Sequence, residues 1–422
     1  MRRALPASLV AWLLLALAAC GAPQGPTVLR FWAMGSESEV LAQLLPEFER
    51  QHPGIRVKIE QLPWTAAHEK LLTAVAGDST PDLCQLGNTW IPELAALQAL
   101  APLDERLAAS KTLSRADYFQ GIWDTNVIGE RTYGIPWYVD TRLLFYRKDL
   151  LAEVGYSAPP RTWAQLTAVL AARVKDGKGE RYGILLPLNE WEPLLALAIQ
   201  QPEPMVTADA RGNFTSAGFE RALGFYSSMF ESGYAPLVSA SQIANVWTEF
   251  GRGYFSFYIS GPWNIGEFNR RLPQELAGSW ETAPLPGPDG PAASVAGGAS
   301  LAVFRRSQHP AEAWQLIEYL SQPDVQVRFH ELTGDMPARR SAWDAPAITA
   351  DSHARAFREQ MERARATPKV PEWEQIVNEM RIVAELVARR QLSVHAGAVE
   401  LNRRADRILA KRRALLAEGV RL

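Results

Sequence analysis

Thirteen tryptophans follow residue 20 of this 422-residue chain, and many stand where a core tryptophan rarely does. They sit beside Gly, Pro, Asn or Glu in GNTW (Trp90), IPWYVD (Trp137), LNEW (Trp191), GPWN (Trp263) and VPEW (Trp373). Core indoles usually lie among aliphatics, whereas indoles next to turn residues belong to surfaces and clefts. Carboxylates and amides accompany them: Asp140 follows Trp137 by three residues, Asn88 precedes Trp90 by two, and Glu190 and Glu192 flank Trp191. Flat apolar plates beside hydrogen-bonding groups are the equipment of a binding cleft.

Other chemistries find less support. The six histidines form no HxxxH or HExxH pair, Cys84 has no CxxC partner, and no metal or cofactor is expected. No GxxxxGK[ST] loop is present, so any ATP hydrolysis must come from another chain. A glycosidase would need two carboxylates ~5–9.5 Å apart. Glu190 and Glu192 are candidates by spacing, yet nothing in the sequence marks either as an acid with a raised pKa.

The N-terminus carries its own signal. Arg2 and Arg3 precede an apolar run, residues 9–19, too short for the ~20 residues of a membrane-spanning helix. Leu17-Ala18-Ala19-Cys20 resembles a bacterial lipobox, in which the cysteine thiol receives the lipid. The expected division is a signal peptide over 1–19 and a lipidated, Gly/Pro-rich tether over 20–26. Stable anchoring takes at least two acyl chains, which a lipoprotein carries. The protein is then held at a membrane, in the periplasm or on an outer face.

Lys and Arg number 44 and Asp and Glu 46, with no large basic block, which argues against nucleic acid as a partner. From residue 27 the pattern alternates strands (27–33, 55–62, 82–86) with helices (39–51, 66–76), the signature of a parallel sheet with helices on its faces. Ser36 or Ser38 is positioned to cap the first helix. Further strands are expected at 143–147, 181–188, 254–259 and 299–306, with helices at 162–174 and 218–232. Residues 309–422 read as largely helical.

In order, FERQHPGIRV, AVAGDSTPDL, YGIPWYVDTRLLFYRKDLL, PPRTWAQL, GYFSFYISGPWN, LPGPDGPAASVAGGASLAVF, TGDMPARRSAW and VPEWEQI resemble extracellular solute-binding proteins of ABC importers. The likeness is to the carbohydrate, maltose/trehalose-binding group, and covers nearly the whole chain after the leader. It implies an α/β fold of the type II periplasmic-binding kind, with two lobes, each a mainly parallel sheet flanked by helices. The ligand cleft lies between the lobes. Lobe 1 would hold 27–136 and about 298–325, and lobe 2 would hold 137–297 and about 326–422. Crossings are implied near Pro136–Asp140, near Gly297–Ser300 and around 325–335.

The resemblance also assigns roles. A sugar ring has apolar C–H faces and a rim of hydroxyls, so it asks for aromatic plates and charged or amide hydrogen-bond partners. Asp140 matches a hydroxyl-binding acid, Trp263 a stacking plate, and Gly297 and Gly298 a stretch where backbone meets ligand. Trp137 and Tyr138 alternate on one strand, so only one faces the cleft. Glu37 or Glu39, Asn88, Trp90, Trp191, Trp247 and Asp335 complete the candidates, and His68 is expected at the surface. Thr367 stands where the family places Arg, Asn88 where some relatives carry Asp, and Asp335 where many carry Tyr. The implied activity is capture of a di- or oligosaccharide, such as an α-glucoside, by a monomer that delivers it to a membrane permease with a separate ATPase. A glycerol phosphodiester, a polyamine or a peptide is the alternative ligand.

Overall fold

The computed structural model describes residues 25–175, 181–243 and 245–419. The expected leader and Cys20 lie outside them. Among the described residues no helix is long and apolar enough to cross a membrane.

Two sheets organise the chain. The six-stranded sheet runs in the order Met336–Pro337, Ile135–Asp140, Gly297–Val303, Leu83–Gly87, Thr27–Met34, Ile55–Leu62. The four-stranded sheet runs Trp280–Ala283, Leu143–Arg147, Phe255–Ser260, Tyr182–Leu185. Thr27–Met34 pairs in parallel with both Ile55–Leu62 and Leu83–Gly87, as the strand–helix alternation predicts. Tyr182–Leu185 also pairs in parallel with Phe255–Ser260, but the other pairings depart from the expectation of mainly parallel sheets. Gly297–Val303 is antiparallel to both its neighbours, and Leu143–Arg147 is antiparallel to both of its own. The reason is connectivity: these strands return from the other lobe rather than through a helix crossing over the same sheet.

Side-chain alternation assigns the faces. Leu29, Phe31 and Ala33 pack on one side of the first sheet with Leu41, Leu45 and Phe48 of the helix Glu37–Gln51. Trp32 and Met34 pack on the other with Leu62, Leu71 and Trp90. In the second sheet Phe145 joins one core, and Leu144 and Tyr146 the opposite one. Thr162 caps the helix Trp163–Val174, its hydroxyl accepting from the Gln165 amide at 3.1 Å. At Glu37–Gln51 neither Ser36 nor Ser38 caps with its side chain. Ser38 instead donates back to the Gly35 carbonyl at 2.7 Å.

The strand Ile135–Asp140 lies whole in the first sheet, so the first crossing follows Asp140 rather than Pro136. Thr141 is buried there and donates to the Val295 carbonyl at 2.9 Å. Ser294–Val295 pairs in turn with Ala364–Arg365, so three segments meet side by side between the sheets. The third crossing lies beyond the expected 325–335. The helix Pro323–Thr333 stays with the first sheet because Phe329 packs on Trp137 at 4.5 Å and on Tyr138 at 5.7 Å. The first helix to pack on the four-stranded sheet after it is Ser352–Met361.

Gly298 holds the second crossing in place. Its φ is +122°, and an added Cβ would lie 2.9 Å from the Val139 Cα and closer still to the Tyr138 carbonyl. The register against Ile135–Asp140 shifts just beyond it, between Ala299 and Ser300. Gly298→Ala is expected to cost about 1–3 kcal/mol or more, from backbone strain with backbone overlap added. Urea unfolding of the two proteins measures it, and an unchanged midpoint contradicts the requirement for glycine.

Candidate functional site

A cavity of about 790 Å³ opens between the two sheets, within the range of small-molecule sites. The first sheet's strand ends and loops supply Gly35–Glu37, Trp64, Asn88–Trp90, Tyr138 and Asp140. The second sheet and the crossings supply Arg142, Trp191, Glu192, Trp263, Gly297 and Gly298. Asp335 and Glu374 complete the wall.

Trp137 is the extra residue of the bulge, unpaired between Pro136 and Tyr138. Trp137 is fully buried, packed on Phe31 at 6.4 Å and on Phe329, and takes no part in the cavity. Its expected ligand role is therefore corrected: the inward face of the strand must fill the core under the Pro323–Thr333 helix. Tyr138 packs on the same Phe329, its ring 5.6 Å from that of Trp137, and lines the cavity. Its hydroxyl donates to Glu37 Oε1 at 2.7 Å and accepts from Gln85 Nε2 at 2.9 Å. Trp247 is a second correction. It lies outside the cavity, donating to Asn264 Oδ1 at 2.8 Å, with the Arg271 guanidinium over its ring at 4.3 Å. Its helix, Val246–Gly251, packs on the helix Trp263–Arg271.

The other candidates converge. Glu37, not the exposed Glu39, faces inward, and it also accepts from Trp64 Nε1 at 3.3 Å. Trp90 meets Trp64 at 5.6 Å between ring centroids. Asn88 is buried and accepts from the Ser300 hydroxyl at 3.1 Å, while its Nδ2 has no partner among the described residues. Asp140 Oδ1 is likewise without a partner. Gly261 has no room for a Cβ because the Trp263 ring folds back against it, which fixes that plate at the end of the strand Phe255–Ser260. His68 is half-buried rather than at the surface, hydrogen-bonded to Glu93 at 2.7 Å, its ring 5.3 Å from that of Trp90.

Sequence reasoning missed Arg142, Trp64 and Glu374. Arg142 and Trp64 had local signals. Arg142 follows Asp140 by two residues, and Trp64 follows a proline as Trp263 does. Arg142 Nη2 lies 2.9 Å from Glu192 Oε1 and 3.6 Å from Asp140 Oδ2, with its guanidinium 4.6 Å from the Trp263 ring centroid.

The cavity is acidic. Glu37, Asp140, Glu192, Glu267, Asp335 and Glu374 face two arginines, Arg142 and Arg270. Arg270 is itself engaged by Glu267, so neither cation is free for an anionic guest. Burial pushes the Asp335 carboxyl well above the usual range, and the Glu37 and Asp140 carboxylates add to it. Burial also raises Asp140, against the pull of Arg142. Burial raises Glu374 as well.

A family model described as bacterial extracellular solute-binding protein matches residues 35–327. The chain belongs to that family. Among solved structures, the sugar-binding protein MalE of Xanthomonas citri is 55% identical, with a TM-score of 0.89, covering 93% of this chain and 99% of its own. The diacetylchitobiose-binding protein DasA of Streptomyces coelicolor is 23% identical over 401 residues, 90% of this chain and 92% of its own. A lipoprotein of Streptomyces antibioticus is 27% identical over 388 residues, 86% of this chain and 84% of its own. The two-lobed periplasmic-binding fold is thus shared with its relatives, and the family is one of binding proteins.

Glu190 stands behind the Trp191 wall, and burial pushes its carboxyl up to about 7 from the ordinary 4.5. A raised folded-state pKa on an acid means the unfolded chain loses its proton first as pH rises. Stability is then drained between pH 4.5 and about 7 and stays lower above that. Glu190→Gln is expected to match the wild type near pH 4 and to exceed it at pH 8. Denaturant melts at both pH values check this, and equal stability at pH 8 contradicts it.

Proposed function

We propose that this protein is the capture subunit of a carbohydrate ABC importer, closing on a neutral di- or oligosaccharide such as an α-glucoside. The supporting observation is the cavity itself: Trp64, Trp90, Trp191 and Trp263 line one space with carboxylates between them. Indoles match the C–H faces of sugar rings. Ionised carboxylates accept from hydroxyls in the stronger class of hydrogen bond, ~1.5–3 kcal/mol net. The absence of a free cation among the described lining residues argues against a glycerol phosphodiester or a sugar acid. The same acidity keeps a polyamine as the second reading. The Xanthomonas relative, a sugar-binding protein by its name, adds weight to the first.

The groups that touch the ligand are Glu37, Asn88, Trp90, Tyr138, Asp140, Trp191, Trp263, Asp335 and the backbone at Gly297 and Gly298. Ligand entering the open cleft gains its second set of contacts only when the lobes close, and that difference drives closure. The closed monomer then presents both lobes to a permease. The chain breaks no bond: Glu192 is tied to Arg142, and Glu190 lies outside the cavity. Cys20, outside the described residues, would carry the lipid that holds the protein at the membrane, as the lipoprotein relative suggests.

Calorimetry against maltose, trehalose, maltotriose, a glucuronide and spermidine tests the ligand. Neutral sugars are expected to bind and to raise the melting temperature, with ~2.7 kcal/mol of added stability at 100 times Kd. Asp140→Asn should lose ~1.5–3 kcal/mol of that affinity. Binding of spermidine alone, or of the glucuronide as tightly as maltose, overturns the neutral-sugar reading. Cys20→Ser should release the protein from the membrane fraction and abolish palmitate labelling in cells. A membrane-bound Cys20→Ser protein contradicts the anchor.

A further inference from the structure

Arg142 is the one cleft residue that joins groups from both sides of the first crossing. Asp140 ends a strand of the six-stranded sheet, Arg142 precedes a strand of the four-stranded sheet, and buried Thr141 between them is pinned to Val295. The Arg142 side chain is only 13% exposed, so its charge must be matched within the protein. Glu192 at 2.9 Å and Asp140 at 3.6 Å supply the match, and its flat guanidinium lies over the Trp263 indole. Glu190 and the Tyr258 hydroxyl also face it.

A guanidinium can stack and bond at once, because its donors lie in the plane that rests on the ring. It therefore takes up one face of Trp263. It also pairs with Asp140 through Oδ2 at 3.6 Å, while Oδ1 is buried on the Gly261 side. We infer that Arg142 is a positioning residue of the binding site: it occupies one face of Trp263 and pairs with the Asp140 carboxylate, so that a ligand ring meets a single indole face beside a carboxylate held in one orientation. This rests on the carbohydrate reading for the nature of the ring, though not for the geometry.

The test is a pair of double-mutant cycles. In the first, calorimetry with the neutral disaccharide the wild type binds compares R142Q, D140N and the double variant. Arg142→Gln alone is expected to weaken binding about 10- to 100-fold, the effect of one charge-assisted hydrogen bond. Within D140N the same change should cost less than about threefold, because the group it positions is already altered. Arg142→Lys, which keeps the charge and loses the fork, should recover only part of the affinity and keeps the question open to test if R142Q does not fold. The acid limb of the binding profile should also move to higher pH in R142Q, since Arg142 holds the Asp140 proton off. A purely structural role would leave that limb in place.

The second cycle needs no ligand: thermal unfolding of R142Q, W263L and the double variant, expected to be non-additive. Additivity in either cycle overturns the inference. If the wild type binds no sugar while the ligand-free cycle is coupled, the carbohydrate reading falls and the positioning role stands.

Discussion

The crossing from Val139 to Leu143 constrains the rest of the site. One strand leaves the first sheet, turns within two residues and enters the second. Trp137, at the bulge, is buried in the core, Tyr138 and Asp140 line the cleft, and Arg142 reaches Glu192 and the Trp263 ring. The partner strand can approach closely enough only because Gly297 and Gly298 carry no side chain against the Tyr138 and Asp140 carbonyls. One backbone contact thus sets which aromatic is structural, which acid is functional and where the two lobes are joined.

Electrostatics follow from that geometry. Glu37, Asp140 and Asp335 come from three separate parts of the chain and end around Tyr138. Burial and mutual repulsion make them costly in a site without ligand. The protein relieves the cost selectively. Tyr138 and Trp64 donate to Glu37, and Arg142 faces Asp140, while the Thr333 hydroxyl accepts from the Asp335 amide and donates to the Phe329 carbonyl rather than to the Asp335 carboxyl. Asp335 and Asp140 both line the cavity. A neutral polyol satisfies acceptors without bringing an anion into an acidic space, so charge and shape select the same ligand class.

The sequence made local structure legible where one period dominated. The opening strand–helix–strand run falls within two residues of the observed elements, because alternation and caps act over a few residues. Sheet direction did not show, since the antiparallel returns at Gly297–Val303 join strands more than a hundred residues apart. The site split the same way. Asn88, Asp140 and Trp263 were readable from residue type beside turns. Trp247 was misleading because an indole next to Asn245 at a helix start looks the same whether its ring faces the cleft or Asn264. Glu374 could not be read at all: it is a first-turn acid on the helix Trp373–Ala388, and only folding carries that helix start to the Asn88–Trp90 turn.

Both sides of the cleft contribute plates and acceptors. The six-stranded sheet's side offers Glu37, held by Tyr138 and Trp64, Asn88, held by Ser300, and the indoles of Trp64 and Trp90. The other side offers Trp263 seated against Gly261, Trp191 opening the helix Glu192–Ala198, and Glu192 held by Arg142. A guest between them is met by a ring face and a hydrogen-bonding group from either side.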